Sequence, residues 1–326
     1  SDVHAINNML SEVDFYGKWV NGHDWFDIGN TTELNKTKKV FHSSIEVLDK
    51  VDESIFFFDD FVIKFFSNST VNKNRVARAY NLGSLVPEIL GSTENFYKYK
   101  KAKGALFSKS VDSQTFSNFL EWAKSDLWVL QPSTINNNFK EKCYDFYITK
   151  TKQRISQYLK NNIENDYING QYIHDVYDLI NVIDSDWLCD GLPSQFHGDF
   201  ILDNIIETED SFKLIDWRQD FAGDLHIGDL YYDLAKLNHN LTVNHDIVNK
   251  NLFGSSKENC HILVNSKLKE CEEILHSFII KNGLDLKKVK VLTAIIWINM
   301  APLHEYPFNN FLFNFGKYNL YKNLKQ

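Results

Sequence analysis

Phe196-His197-Gly198-Asp199-Phe200-Ile201-Leu202-Asp203-Asn204-Ile205-Ile206, a short polar turn, and then Lys213-Leu214-Ile215-Asp216-Trp217 set His197, Asp199, Asn204 and Asp216 in loops bracketed by apolar residues. Apolar brackets of this length read as short buried strands, and loops pinned by such strands hold polar groups in fixed positions. The Asp199-x-x-x-x-Asn204 spacing, with an aspartate following after a hairpin, matches the catalytic-loop and metal-loop arrangement of kinase phosphoryl transfer. That chemistry needs a carboxylate to orient and deprotonate the attacking hydroxyl, oxygen ligands for Mg²⁺, and a cation on the non-transferred phosphates. Asp199 is the candidate base. Asn204 and Asp216 are hard oxygen donors of the kind Mg²⁺ takes alongside water and phosphate. His, Gly, Asp, Asn and Asp at the five set positions 197, 198, 199, 204 and 216 arise by chance in a chain this long with probability on the order of 10⁻⁴, at ~5% usage per residue type.

Working outward, residues 38–66 have strand texture, and Ile55-Phe-Phe-Phe, Asp59-Asp60 and Phe61-Val-Ile-Lys-Phe-Phe read as a β-hairpin with a two-residue turn. Lys64 lies in its second strand, where a lysine among apolar residues either reaches the sheet edge and water or meets an anion. Lys73 to Leu85 reads as a helix ended at Val86-Pro87. Phe96 to Lys101, a Lys103-Gly104 turn and Ala105 to Phe107 read as another hairpin. Near residue 110 the apolar period changes from about 2 to about 3.6. Phe116, Phe119, Leu120 and Ala123 then share a helix face, as do Phe139, Cys143, Phe146, Ile155, Tyr158 and Leu159, and Ile173, Val176, Tyr177, Ile180 and Ile183. Helical texture resumes at Asp229, over Ser266 to Ile280 and over Lys287 to Met300. The expectation is an α+β chain with a β-rich lobe over 1–110 and a helical lobe over 111–326.

Composition narrows the function classes. A formal charge of −8 argues against a general nucleic-acid binder, which needs a basic surface, but leaves room for a nucleotide held by a few local cations. With 25 Phe, 15 Tyr and 7 Trp the chain can build a sizeable core. Cys143, Cys189, Cys260 and Cys271 lack metal-site spacing and read as reduced, partly buried thiols of a cytoplasmic protein. No basic segment leads into an apolar run at the N-terminus, so no signal peptide is read there. Val291 to Leu303 is too short for a bilayer that needs ~20 residues, so no membrane partner is expected.

His197-Gly-Asp199-x-x-x-x-Asn204 followed by Ile215-Asp216-Trp217 resembles the aminoglycoside phosphotransferase and choline kinase-like superfamily, which has a two-lobed protein-kinase-like fold. The resemblance extends from about residue 38 to the C-terminus. It implies that Asp199 is the catalytic base, Asn204 and Asp216 the metal ligands, and Lys64 in Val-Ile-Lys the phosphate-binding lysine. It makes His197 a brace for the catalytic loop. Three departures stand out. The helix after the lysine strand offers Arg75 and Arg78 where the family has a glutamate. Phe41-His-Ser43-Ser44 takes the place of a glycine-rich phosphate loop, with Ser43 and Ser44 allowing close backbone approach to phosphates. Asp203 stands where many members have glycine, either as a third acid at the metal or as a cap.

The expected activity is ATP- or GTP-dependent, Mg²⁺-dependent phosphorylation of a hydroxyl on a small molecule: a sugar, an amino alcohol such as choline, or an aminoglycoside-like compound. The rival is a non-catalytic nucleotide-binding or scaffold protein on the same fold. Asp229 and Asp233 share a helix face and read as support for the loops, with N-capping an equal reading for Asp229. Arg218 and Asp220 reach either substrate or each other. Acceptor contacts are sought among Trp187, Tyr231, Tyr232, Trp297, His304, Glu305, Tyr306, Asn309 and Asn310, most of whose rings serve equally as core.

Overall fold

In a computed structural model of the chain, residue 9 and residues 52–131, 137–256 and 259–325 are described. Ser43 and Ser44 lie outside them. Strands β1 (Glu53–Phe57) and β2 (Phe61–Phe66) form the expected hairpin, with Ile55 opposite Lys64 and Phe57 opposite Val62. The Phe58 N–H donates to Phe61 O at 3.0 Å, which leaves Asp59-Asp60 as the two turn residues. Alternation puts Val62, Lys64 and Phe66 on the buried face of β2.

Helix α1 (Ser69–Leu82) starts earlier than expected because Asn68 caps it, accepting from Thr70 N at 3.0 Å and Val71 N at 3.3 Å. It ends at Gly83, whose φ of 56° suits glycine. Strands β3 (Ile89–Ser92) and β4 (Phe96–Lys100) complete an antiparallel sheet in the order β1-β2-β4-β3, on which α1 packs. Tyr97 and Tyr99 of β4 lie opposite Lys64 and Val62 and are buried.

The expected hairpin around Lys103-Gly104 does not form. Strand β5 (Ala105–Leu106) pairs instead with β6 (Ile205–Glu207), which pairs in turn with β7 (Phe212–Leu214). Gly104 runs so close to β6 that a Cβ there would sit 2.1 Å from Glu207 O. This partner is a hundred residues away in the chain, so local turn chemistry could not report it.

The remainder is mainly helical: α2 (Ser113–Trp122), α3 (Asn137–Tyr144) running through a π-turn at Asp145–Thr149 into α4 (Lys150–Leu159), then α5 (Leu230–Thr242), α6 (Ser266–Lys281), α7 (Leu286–Met300) and α8 (Phe308–Lys325). The α2 stripe Phe116, Phe119, Leu120 is buried, and so are Phe139, Cys143, Phe146, Ile155 and Tyr158. The Ile173–Ile183 stripe is largely buried too, but its helix spans only Val176–Asn181. Helix α7 is buried from Val291 to Ile298 and packs on α4, α5 and α8, which explains why it is apolar all round. Among the described residues no helix is long and apolar enough to cross a membrane. All four cysteines are free and buried. The chain is therefore α+β, with an antiparallel sheet first and helices after it.

Candidate active site

The loop from His197 to Asn204 is built from its own backbone. Ile201 N donates to Asp199 O at 3.0 Å and Asn204 N to Ile201 O at 2.9 Å, closing a 3-10 turn that feeds β6. The Asn204 amide reaches back, donating to Asp199 O at 2.9 Å and to Asp199 Oδ2 at 3.1 Å. At the same end of the β6–β7 hairpin, Ile215 N donates to Asn204 O at 2.9 Å, so Asp216 emerges beside Asn204. Asp216 adopts φ 57°, a costly conformation for a residue other than glycine, of the kind that gathers at functional sites.

His197 braces this arrangement. Its Nε2 lies 3.0 Å from Ile215 O and its Nδ1 accepts from Asp199 N at 3.2 Å, so the neutral Nε2–H tautomer satisfies both bonds. Burial pushes the imidazole down to about 4, which keeps it neutral.

Lys64 meets an anion rather than water. It is buried, with Nζ 2.7 Å from Asp216 Oδ1 and 3.2 Å from Glu53 Oε1. Burial is the largest influence and opposes its charge, but Asp216, Tyr99 and Glu53 together outweigh it and the ammonium is raised above its ordinary value. Arg75 of α1 binds the same Asp216 oxygen. The carboxylate sought on α1 therefore comes from β1: Glu53 lies diagonal to Lys64 on the same face of the hairpin.

Helix α5 lies alongside the catalytic loop and presents a polar face at positions 229, 233, 236 and 240, the four-three-four spacing of one helix side. Asp229 caps the helix, accepting from Tyr231 N at 3.1 Å, and also accepts from Leu192 N at 2.9 Å and Tyr147 OH at 2.7 Å. Asp233 accepts from His197 N and Gly198 N, each at 2.7 Å, and burial raises its carboxyl to about 6. The Lys236 ammonium lies 2.7 Å from Asp199 Oδ1. Burial pushes the Asp199 carboxyl up, but the charge and hydrogen bond of Lys236 prevail and bring it down to about 2. Asn240 Oδ1 accepts from Leu202 N at 2.9 Å, and its amide donates to Asp203 at 3.3 Å. Asp203 also lies 3.6 Å from His245 Nδ1. Lys236 and Asn240 escaped the sequence reading, although their spacing from Asp229 and Asp233 carried the signal.

Arg78, also from α1, is buried and straps the loop backbone. Its guanidinium donates to the carbonyls of Phe196, His197 and Arg218 and stacks on the Phe196 ring at 3.9 Å. Trp217 is fully buried, and its indole donates to Arg75 O at 2.8 Å. Arg218 does not ion-pair with Asp220; its Nε donates to the Asp220 main-chain carbonyl at 3.1 Å.

Among the described residues no group of three or more His, Cys, Asp or Glu is spaced to hold a metal. Asn204 and Asp216 bring two hard oxygen donors, of the kind Mg²⁺ accepts, to the same end of the β6–β7 hairpin. The Asn204 amide nitrogen is committed to Asp199, which turns its Oδ1 the other way, and Lys64 and Arg75 both meet Oδ1 of Asp216. Mg²⁺ takes its remaining ligands from water and phosphate.

No family model and no curated protein matches the sequence. Solved structures do resemble it. A choline/ethanolamine kinase family protein from Mesorhizobium loti is 12% identical, with 90% of this chain and 95% of that chain covered and a TM-score of 0.46. An ADP-bound aminoglycoside phosphotransferase is 13% identical over 90% and 97% of the two chains, with a TM-score of 0.48. A Plasmodium vivax ethanolamine kinase is 14% identical over 90% and 89%, with a TM-score of 0.47. At these values the likeness decides neither reaction nor substrate.

Several of the residues weighed as acceptor contacts have partners within the chain. Trp187 Nε1 donates to Asp285 at 2.7 Å, Tyr231 OH accepts from Asp285 N at 3.1 Å, and Trp297 is buried against His239 and Phe315. Tyr306 is exposed.

Proposed function

We propose that this chain is a phosphotransferase that moves the terminal phosphoryl group of ATP or GTP to a hydroxyl of a small molecule. The observation that carries this reading is the Asp199 carboxylate, whose two oxygens are held by Asn204 and Lys236 within one bonded network that runs through Asn204 and Ile215 to Asp216 and Lys64. Asp199 is ionised and fixed, as needed to accept and orient an attacking hydroxyl. A loose phosphoryl-transfer transition state demands positioning more than strong basicity, so a carboxyl as acidic as this one suffices.

Asn204 and Asp216 would hold Mg²⁺, which when bound neutralises charge on the phosphates. Lys64, and Arg75 beside it, supply cations on the non-transferred phosphates. The sheet within residues 1–110 serves the nucleotide, and residues 111–326 serve catalysis and the acceptor. The sharing of Asp216 by Lys64 and Arg75 also suits the rival reading, a scaffold that binds nucleotide without turnover. Calorimetric titration of Asp216→Ala tests the metal assignment: Mg²⁺-dependent nucleotide affinity is expected to vanish, and unchanged affinity would remove Asp216 from that role.

A further inference from the structure

The two oxygens of Asp199 face different neighbours. Oδ2 accepts from Asn204 at 3.1 Å, on the side of Asp216 and Lys64, while Oδ1 meets Lys236 at 2.7 Å. Three more cations gather on the Lys236 side. Lys150 opens α4 with its Nζ 4.1 Å from the centre of the Phe146 ring, and the Arg218 guanidinium carbon lies 4.9 Å from that same centre. Arg154 follows one turn after Lys150 on α4. Arg218 is packed directly beside the catalytic loop: its N–H donates to His197 O at 3.0 Å, and a Cβ on Gly198 would sit 2.6 Å from its own Cβ.

Among the described residues, no carboxylate ion-pairs with Lys150, Arg154 or Arg218. Asp220 is close enough to favour the Lys150 charge, but its carboxylate accepts from Gly223 N at 2.9 Å. Burial, with the charges of Arg218, Arg154 and Lys236 adding to it, pushes the Lys150 ammonium down to about 6, so an anion bound beside it is what would hold it charged at neutral pH. Half-buried basic groups that repel one another in their charged forms cost stability, and a negatively charged chain that keeps three of them beside a reactive carboxylate has a use for an anion there.

We propose that Lys150, Arg154 and Arg218 form an anion-binding subsite beside Asp199, so that the acceptor is a small hydroxyl compound carrying a carboxylate or a phosphate. This rests on the phosphotransferase reading. The acceptor's anionic group sits among the three cations, and its hydroxyl points to Asp199. The hydroxyl oxygen forms the bond to the γ-phosphorus. The bond from that phosphorus to the β–γ bridging oxygen breaks, its electron pair leaves with the nucleoside diphosphate, and the hydroxyl proton passes through Asp199 to solvent. Amino alcohols and aminoglycosides bring positive charge to a positive surface and are disfavoured.

The test has two arms. In the first, inorganic phosphate is titrated calorimetrically into the wild type, Lys150→Gln/Arg154→Gln and Lys64→Met. The expected result is a ~10–100-fold loss of phosphate affinity in the double variant and near-wild-type affinity for this site in Lys64→Met. Equal binding by wild type and double variant, or no binding at millimolar phosphate, overturns the proposal. A thermal melt shows that the double variant is folded, since it loses the Lys150 contact with Phe146 and the Arg154 hydrogen bond to Gln157 along with the repelling charges. In the second arm, nucleoside diphosphate release is followed with hydroxy acids, sugar phosphates, neutral sugars and amino alcohols. Hydroxy acids separate a carboxylate from a phosphate as the recognised group. A preference for neutral or cationic acceptors contradicts the subsite. Silence with every acceptor and with both ATP and GTP contradicts the phosphotransferase reading, while the phosphate titration still decides the subsite.

Discussion

Lys236 holds Asp199: the ammonium on α5 lies 2.7 Å from Oδ1 of the candidate base. The pair keeps the carboxylate ionised and fixes its rotamer while Asn204 binds the other oxygen. Lys236→Met should therefore lower kcat by about 10–100-fold through lost positioning, with KM for the nucleotide nearly unchanged. Steady-state kinetics on the purified variant measures this. An unchanged kcat would show that the pair is dispensable.

Asp233 is a structural acid with a catalytic consequence. Its carboxylate accepts the His197 and Gly198 N–H groups and the Trp128 indole, all in a buried setting. Removing it leaves those donors without a partner, so Asp233→Ala should cost roughly 3–5 kcal/mol in unfolding stability. Asp233→Asn retains one acceptor oxygen and should cost less. Chemical denaturation of the two variants gives the comparison.

Arg78 links α1 to the catalytic loop through three main-chain carbonyls. A lysine in its place offers a point charge without the planar fork, so Arg78→Lys should recover little of what Arg78→Met loses. Both are expected to destabilise by about 2–4 kcal/mol and to lower kcat together with stability. Thermal melts alongside initial rates check this.

His197 makes a signed prediction about pH. Its folded value of about 4 lies below the ordinary 6.5, so the unfolded chain binds the proton more readily. Its contribution is complete above pH 6.5 and is lost as the pH falls through about 4, with a total of roughly 3 kcal/mol. Asp233, raised to about 6 by burial, acts with the opposite sign over an overlapping range. The difference between wild-type and His197→Gln stability curves isolates the histidine: wild-type stability should fall more steeply from pH 6.5 to 4. Imidazole ¹⁵N shifts should show the Nε2–H tautomer at pH 7.

Periodicity and turn chemistry made much of this legible. The Asp59-Asp60 turn sets the β1–β2 register, and that register puts Glu53 on the Lys64 face, so the missing helix glutamate had a readable substitute. The α5 spacing likewise pointed at Lys236 once Asp229 and Asp233 were noticed. What could not be read depends on distant packing. The β5 strand has two residues and pairs across a long sequence gap, and nothing local distinguishes it from a hairpin arm. Arg78 meets carbonyls of a loop more than a hundred residues away, and an exposed arginine would look the same in sequence. The split of Asp199's surroundings into an Asn204 side and a cationic side required the helices α4 and α5 to be in place. Ser43 and Ser44 remain an expectation.

The most direct measurement is phosphoryl transfer by Asp199→Asn against the wild type, followed by ³¹P NMR with Mg²⁺, ATP and anionic hydroxyl acceptors. Asparagine keeps the shape and the bond to Asn204 but loses the charge held by Lys236. The expected result is a phosphorylated acceptor with the wild type, a fall in rate of at least ~100-fold in the variant, and nucleotide affinity within about twofold. Full turnover by Asp199→Asn, or no transfer by the wild type to any hydroxyl, would contradict the account.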